Sequence, residues 1–364
     1  MHRIIIIGAG VIGCAIAEEF SARGARVTLI EDRRVGGGAT QASAGILAPY
    51  IEGHDAGPLR DLGIRSLALY DEWIARVRAA SGAELEYYRD GTLEIALDPP
   101  HAEELRRAAA QLADIGARWL DPADARASEP ALGTVAGALL VPVHGAVAAR
   151  QLTEALSLAA RRHGAALYYS RATRISVDGG TLRVATPDRI FEAETVILAA
   201  GSWSGSIDID GDTVPPVRPV RGQLLDLDWR GRQPVSRVLW GPECYVVPRR
   251  DGSLLVGATV EDVGFDERAT AAGVRDLLDA ACELLPEGWG AAFAGVRVGL
   301  RPATPDELPA IGPGRLPGLI HACGHYRNGV LLAPLTARLV ADVVLDGRRD
   351  PILDRLAPTR FGQG

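Results

Sequence analysis

Ile4-Ile5-Ile6-Ile7-Gly8-Ala9-Gly10-Val11-Ile12-Gly13 is the stretch on which the fold turns. Four β-branched residues run straight into G-x-G-x-x-G. Helical spacing continues from Cys14 to about Arg23, and a second strand, Arg26-Val27-Thr28-Leu29-Ile30, ends at Glu31. Gly8 suits a tight turn, Gly10 lets backbone approach a pyrophosphate, and Gly13 lets helix and strand pack closely. The helix start at Val11 and Ile12 offers free N–H groups and a positive dipole end to the phosphates. Glu31, followed by Asp32, suits the ribose hydroxyls of an adenosine and would repel the 2′-phosphate of NADP. A glycine-rich turn alone is a weak signal. A complete strand–helix–strand unit with a terminal acid makes dinucleotide binding the expectation.

The 364 residues suggest two domains, and the net charge of −7 gives no basic patch for nucleic acid. No apolar run approaches the roughly 18 residues of a membrane span. The isoleucine run turns at once into glycine, so it is expected as a strand and not a leader. Cys14, Cys244, Cys282 and Cys323 are scattered without a C-x-x-C pair, so structural thiols are expected rather than a metal site, and they suit the reducing cytosol of a cytoplasmic protein. The chain has no lysine. That excludes the usual Schiff-base lysine of pyridoxal enzymes and the lysine of a Walker A loop.

After Glu31 a run of small residues, Gly36 to Gly45, would let backbone approach a flat ligand. Helical spacing is read over Leu62–Ala80, His101–Gly116, Ala148–His163, Thr270–Leu285 and Gly329–Leu345. A strand pair or hairpin is expected around Asp90-Gly91, and 121–135 is read as loop. Ala165–Ser170 reads as a strand, followed by a hairpin through Asp178-Gly179-Gly180. Thr195 to Ala200 reads as a buried parallel strand ending at Gly201. Residues 218–260 alternate like an antiparallel sheet, and Val296–Leu300 leads into Arg301-Pro302. The expectation is an α/β (α+β overall) chain. A Rossmann-like FAD-binding domain is interleaved with a substrate domain on a mainly antiparallel sheet. The dinucleotide part is placed at 1–85, 140–217 and 296–364, the substrate part at 86–139 and 218–295.

Several segments together resemble the FAD-dependent D-amino-acid oxidase superfamily, most closely its glycine oxidases of thiamine biosynthesis. They are Gly8 to Gly13 with Glu31, Thr40 to Pro49 (TQASAGILAP), and Cys244 to Arg249 (CYVVPR). Val256 to Thr259, Gly299 to Asp306 (GLRPATPD), and Gly324 to Gly329 (GHYRNG) complete the set. The resemblance implies FAD as cofactor, a small amino acid or amine as substrate, molecular oxygen as acceptor, and often a homo-oligomer. Relatives that hold flavin covalently use a cysteine just ahead of T-P-D. Val296 to Pro305 contains none, so non-covalent FAD is expected. The resemblance places Gly8, Gly10, Val11, Ile12, Gly13, Glu31, Asp32, Thr40, Gln41, Ser43, Ala44, Gly45 and Gly201 at the cofactor. Arg301, Tyr326, Arg327, Asn328, Gly329, Val330 and Leu331 are placed there as well.

It further implies that Arg301 holds the substrate carboxylate, for which a guanidinium fork is suited. Tyr245 would hydrogen-bond the same group, and Arg327 would serve through side chain or backbone carbonyl. Glu243 stands where relatives more often carry histidine. No general base is required, because the free amine can expel the α-hydrogen as hydride to flavin N5. The imine then hydrolyses to a 2-oxo acid and ammonia, and oxygen reoxidises the flavin to give hydrogen peroxide. The last helix would point its positive end at the flavin N1–C2 edge. His54, His101, His144 and His163 are expected as solvated or capping groups, His321 in the core, and His325 as ordering its loop. A segment at 51–59 suits an entrance cover. Competing functions are a flavin dehydrogenase with another acceptor or larger substrate, an NAD dehydrogenase, and a non-catalytic flavin-binding subunit.

Overall fold

The computed structural model describes residues 2–52, 57–229 and 235–362. Its centre is a six-stranded sheet in the order Ala310–Pro313, Leu319–Cys323, Thr195–Leu198, Arg3–Ile7, Arg26–Glu31, Ala166–Tyr169. All neighbours run parallel except Ala310–Pro313, which folds back antiparallel. The isoleucine run lies in the middle, and its alternate side chains serve two cores. Ile4 and Ile6 pack with the helices Val11–Ala22, Ala149–Arg162 and Gly329–Asp346. Ile5 and Ile7 pack against a small four-stranded sheet through Ile175 and Val184. Burial on both faces is why this strand reads as an unbroken apolar run.

A second, eight-stranded sheet runs Ala292–Ala303, Arg218–Asp228, Ser253–Gly257, Tyr245–Pro248, Val238–Trp240, Thr92–Ala96, Gly137–Val141, Arg118–Leu120. It is antiparallel except between Val238–Trp240 and Thr92–Ala96. One face packs on the helix Ala271–Leu284 through Leu225, Val246, Val256 and Leu277. Leu224, Val247 and Leu255 on the other face meet Ala44, so this sheet leans on the small-residue segment after Glu31. The expected domain borders at 139/140 and 295/296 fall inside the strands Gly137–Val141 and Ala292–Ala303.

Some expectations need correction. Asp90-Gly91 does not close a hairpin. Tyr87–Tyr88 pairs with Gly145–Val147, whereas Thr92–Ala96 enters the large sheet, so the turn carries the chain between sheets. The stretch 121–135 contains a helix, Pro122–Ser128. Asp121 caps it by accepting from the N–H groups of Ala123 and Asp124, and Pro122 occupies the first turn, where its missing N–H costs nothing. Leu62–Ala80 is two helices, Pro58–Leu67 and Tyr70–Ser81, broken at Ala68-Leu69. His144 is fully buried, stacked on Tyr50 with ring centroids 5.7 Å apart. Burial, with Arg89 nearby, pushes its pKa down to about 3. The loop position of His144 suggested solvent, but the two adjoining strands fold that loop inward. His54 and the middle of the expected entrance cover, residues 53–56, lie outside the described residues.

Candidate functional site

One elongated cavity runs along the carboxyl ends of the parallel strands and under the eight-stranded sheet. At its glycine-rich part the backbone sets the shape. Gly8 has φ +103°, and a Cβ there would stand 2.4 Å from the Ala199 carbonyl oxygen. A Cβ on Gly13 would meet the Gly8 carbonyl oxygen at 1.9 Å, so only glycine lets the helix start so close to the strand. Gly10, Val11 and Ile12 line the cavity. The helix Val11–Ala22 has no acidic residue in its first turn, and the Val11 N–H donates to Thr40 Oγ1 at 3.1 Å. Glu31 also lines the cavity. Its carboxylate accepts from the Ala9 N–H at 2.6 Å and the Arg33 N–H at 2.8 Å, which fixes its orientation. Asp32 stands beside it and pairs with Arg171 at 2.8 Å.

Thr40, Ser43, Ala44 and Gly45 form the next stretch of wall, and Gly201 (φ +55°) faces it from the end of Thr195–Leu198. Tyr326, Arg327, Asn328, Gly329 and Val330 bring the N-terminus of the last helix to the same cavity. That helix likewise has no acid in its first turn and no side-chain cap. It is fastened by its own carbonyls: the Tyr70 hydroxyl donates to Val330 O, and Ser66 Oγ donates to Leu331 O at 2.6 Å. His325 is buried, lies 3.0 Å from Thr336 Oγ1 through Nε2, and is pushed by burial to about 3. It ties its loop to the helix as a neutral ring.

Arg301 and Tyr245 come to this cavity from the eight-stranded sheet. The Arg301 guanidinium lies flat on the backbone of Gly222, where a Cβ would be 2.4 to 2.5 Å from three of its atoms. Its Nη1 donates to Thr259 O at 2.9 Å and Arg221 O at 3.3 Å. The Tyr245 ring similarly occupies the space beside Gly257 and packs 5.4 Å from Trp240. Arg327 is exposed. With Tyr245, Ala258 and Val260 it borders both this cavity and a second, open one walled by Glu243, Asp276, Asp279 and Glu283.

Three expected residues do not line the cavity. Gly13 sits behind it, packed on Gly8. Gln41 turns away, donating to Val298 O at 3.2 Å and accepting from Arg34 at 2.7 Å. Leu331 is in the helical core. Conversely, Arg33, Trp203 and the turn Ser170–Ala172 line it without having been singled out. The Arg33 guanidinium lies 4.1 Å over the Trp203 ring and pairs with Glu267 at 2.8 Å. Ser170–Ala172 was discoverable, since it follows another parallel strand at the same sheet edge. Asp276, Asp279 and Glu283 show helical spacing, but nothing in the sequence says which cavity they face. Cys323 lies in the wall, and burial pushes its thiol up to about 12. All four cysteines are free and buried. Among the described residues no group of three metal-ligating side chains is found, and no helix is long and apolar enough to cross a membrane.

Comparison with known proteins places this geometry in company. Residues 3–343 match the family model described as DAO, FAD dependent oxidoreductase. The chain is 36% identical over 367 residues to the bifunctional protein ThiO/ThiG of Synechocystis sp., covering 98% of this chain and 54% of that protein. It thus spans about half the length of that relative. It is also 36% identical over 370 residues to the glycine oxidase of Geobacillus kaustophilus, covering 98% and 96% of the two chains. The crystal structure of a glycine oxidase from Geobacillus kaustophilus superposes with a TM-score of 0.93 at 34% identity, covering 99% of each chain.

Proposed function

The chain belongs to the DAO family of FAD dependent oxidoreductases, and from that premise we propose that it oxidises glycine, or another small D-amino acid or amine, at a non-covalently bound FAD. The eight-stranded sheet is then the substrate-binding part and the parallel sheet the cofactor-binding part. The observation that carries this reading is Arg301. It is a guanidinium held in the cavity wall by backbone carbonyls alone, and among the described residues no carboxylate neutralises it.

The wall suits FAD because two helix N-termini, both free of acidic side chains in their first turns, meet one cavity. Gly8, Gly10, Val11 and Ile12 would hold the pyrophosphate, and Glu31 the adenosine ribose. Thr40, Ser43, Ala44 and Gly45, with Asn328 to Val330, would hold the flavin ring. The dipole of an 18-residue helix favours negative charge on the ring edge nearest its start. When bound, FAD supplies the hydride acceptor.

The chain's own residues then bind and orient. Arg301 takes the substrate carboxylate through its remaining N–H groups, Tyr245 adds a hydroxyl, and Arg327 closes that part of the wall. Neither buried titratable group near the ring suits a base. His325 is neutral and bonded to Thr336, and the Cys323 thiol stays protonated. The substrate amine must therefore arrive unprotonated, and its lone pair drives loss of the α-hydrogen. The product imine hydrolyses in water to a 2-oxo acid and ammonia, and molecular oxygen takes up the electrons as hydrogen peroxide.

The test is the visible spectrum of the purified protein under nitrogen, before and after glycine. Bleaching of a yellow protein, with colour restored by air and peroxide formed, is the expected result. A yellow protein that no small amino acid or amine bleaches would sink the substrate assignment. Acid precipitation should leave the yellow colour in the supernatant, and colour held in the pellet would contradict non-covalent binding.

A further inference from the structure

We propose that Thr259, Glu261, Gln223 and Arg221, together with the bare backbone of Gly222, are positioning residues that fix the aim of Arg301 and so set affinity for the substrate carboxylate. The inference rests on the assignment of Arg301 to that carboxylate.

Arg221 and Arg301 lie on facing strands, Arg218–Asp228 and Ala292–Ala303, where Val220 pairs with Arg301 and Arg221 with Leu300. They are treated oppositely. Arg221 is 4% exposed and paired with both Glu261 and Asp266. Among the described residues Arg301 is given only carbonyls. A guanidinium without a carboxylate partner keeps a wide choice of rotamers unless something else removes it, and a long side chain pays for ordering at the moment of binding. Here three contacts remove that choice in advance. The plane rests on Gly222, Nη1 is anchored on Thr259 O, and the same nitrogen reaches Arg221 O. Among the described residues Nε and Nη2 make no hydrogen bond and so remain for a ligand.

The anchor is itself anchored. Thr259 Oγ1 donates to Glu261 Oε1 at 2.6 Å and accepts from the Gln223 N–H at 2.9 Å. Gln223 is fully buried. Its Nε2 donates to Glu261 Oε1 at 2.8 Å and to Thr270 Oγ1 at 2.9 Å, and its Oε1 accepts from the Thr270 N–H at 2.9 Å. Glu261 thus takes bonds from Arg221, Gln223 and Thr259. Burial opposes its ionisation, but these bonds outweigh burial and hold it at about 2. The carboxylate therefore stays charged throughout the working range, and the Thr259 carbonyl stays where Arg301 needs it. Apart from Arg221 Nε, which has no partner among the described residues, the polar atoms named here are bonded through Glu261, and so connected a network is stiff; stiffness this close to a ligand appears as affinity.

The experiment uses the FAD-loaded enzyme and acetate as a probe that has the carboxylate and no amine. Its dissociation constant is read from the shift it causes in the flavin absorption, and KM and kcat for glycine are measured alongside. Arg301→Met is the reference. We expect Gly222→Ala and Thr259→Val to weaken acetate roughly tenfold, the step for one lost or misaimed hydrogen bond to a charged group, and to raise KM with kcat little changed. Thr259→Ser should restore binding, and Glu261→Gln should fall between. Should Gly222→Ala fail to fold, the Val and Ser variants at Thr259 carry the test. Wild-type acetate affinity in Thr259→Val and Glu261→Gln, with Arg301→Met impaired, would overturn the positioning role alone. Unchanged acetate affinity in Arg301→Met would overturn the assignment beneath it.

Discussion

Two parts of one cavity wall are built from different material. The glycine-rich part is backbone: Gly8 and Gly10 with Gly13 packed behind them, a helix start, and a carboxylate whose oxygens are already pinned by N–H groups. The guanidinium part is side chain, projecting from a sheet whose strands come from segments far apart in sequence. A backbone site is specified by a short local pattern. A side-chain site is specified by whatever brings distant strands into register. The first can be destroyed by adding a methyl group, the second only weakened by removing a functional one.

Gly13→Val attacks the first part where it has no slack, because the added carbons fall on the Gly8 carbonyl. The purified variant should be colourless or take up FAD only in large excess, read as the ratio of flavin to protein absorbance. A yellow variant would mean that the turn yields more than its geometry suggests. Arg301→Met attacks the second part. KM for glycine should rise roughly a hundredfold or more, since a charge-assisted pair is lost and a carboxylate is left without a partner. FAD content should be unchanged. If instead the colour is lost and KM is kept, the two parts are not separable in the way described. Glu31→Gln sits between: FAD should be released about tenfold more readily, the effect of weakening one charged acceptor, with KM for glycine untouched.

The smallest effect is on pH dependence of stability. His144 and His325 are held near 3 by burial, against 6.5 for a free ring. Below about pH 6.5 the unfolded chain takes up protons that the folded chain refuses, so stability falls as pH drops from there toward 3. Glu261 adds a second loss at lower pH, from its ordinary 4.5 toward 2. The Tm measured from pH 8 to pH 5 should decline on the acid side, and His144→Gln should flatten the decline. A pH profile of Tm left unchanged by His144→Gln would show that this ring does not resist protonation as its burial implies, whereas burial of Glu94, raised to about 7, works against the decline in both proteins.

The same contrast explains what could be read from sequence. The βαβ opening, the long final helix and the antiparallel middle were legible because each repeats a local period. Gln41 and Leu331 were placed at the cofactor because they stand inside motif segments, but a motif is contiguous in sequence whereas a wall admits only the residues whose position faces it. Arg33 and Trp203 were invisible for the opposite reason: their contact joins residues 170 positions apart and has no period. The helix after Asp121 carried its own cap and initial proline and was lost behind a count of prolines. Gly222 looked like any strand glycine until Arg301 was found lying on it.

The carbonyl seat of Arg301 has a consequence in solution chemistry. A cation with no counter-ion among the described residues leaves the local charge uncompensated until a ligand enters, and a guanidinium cannot shed its proton to escape that state. Small anions in the medium will therefore occupy the same place. The apparent affinity for an amino acid becomes a property of the buffer as much as of the protein, with chloride or acetate acting as a silent competitor in every assay.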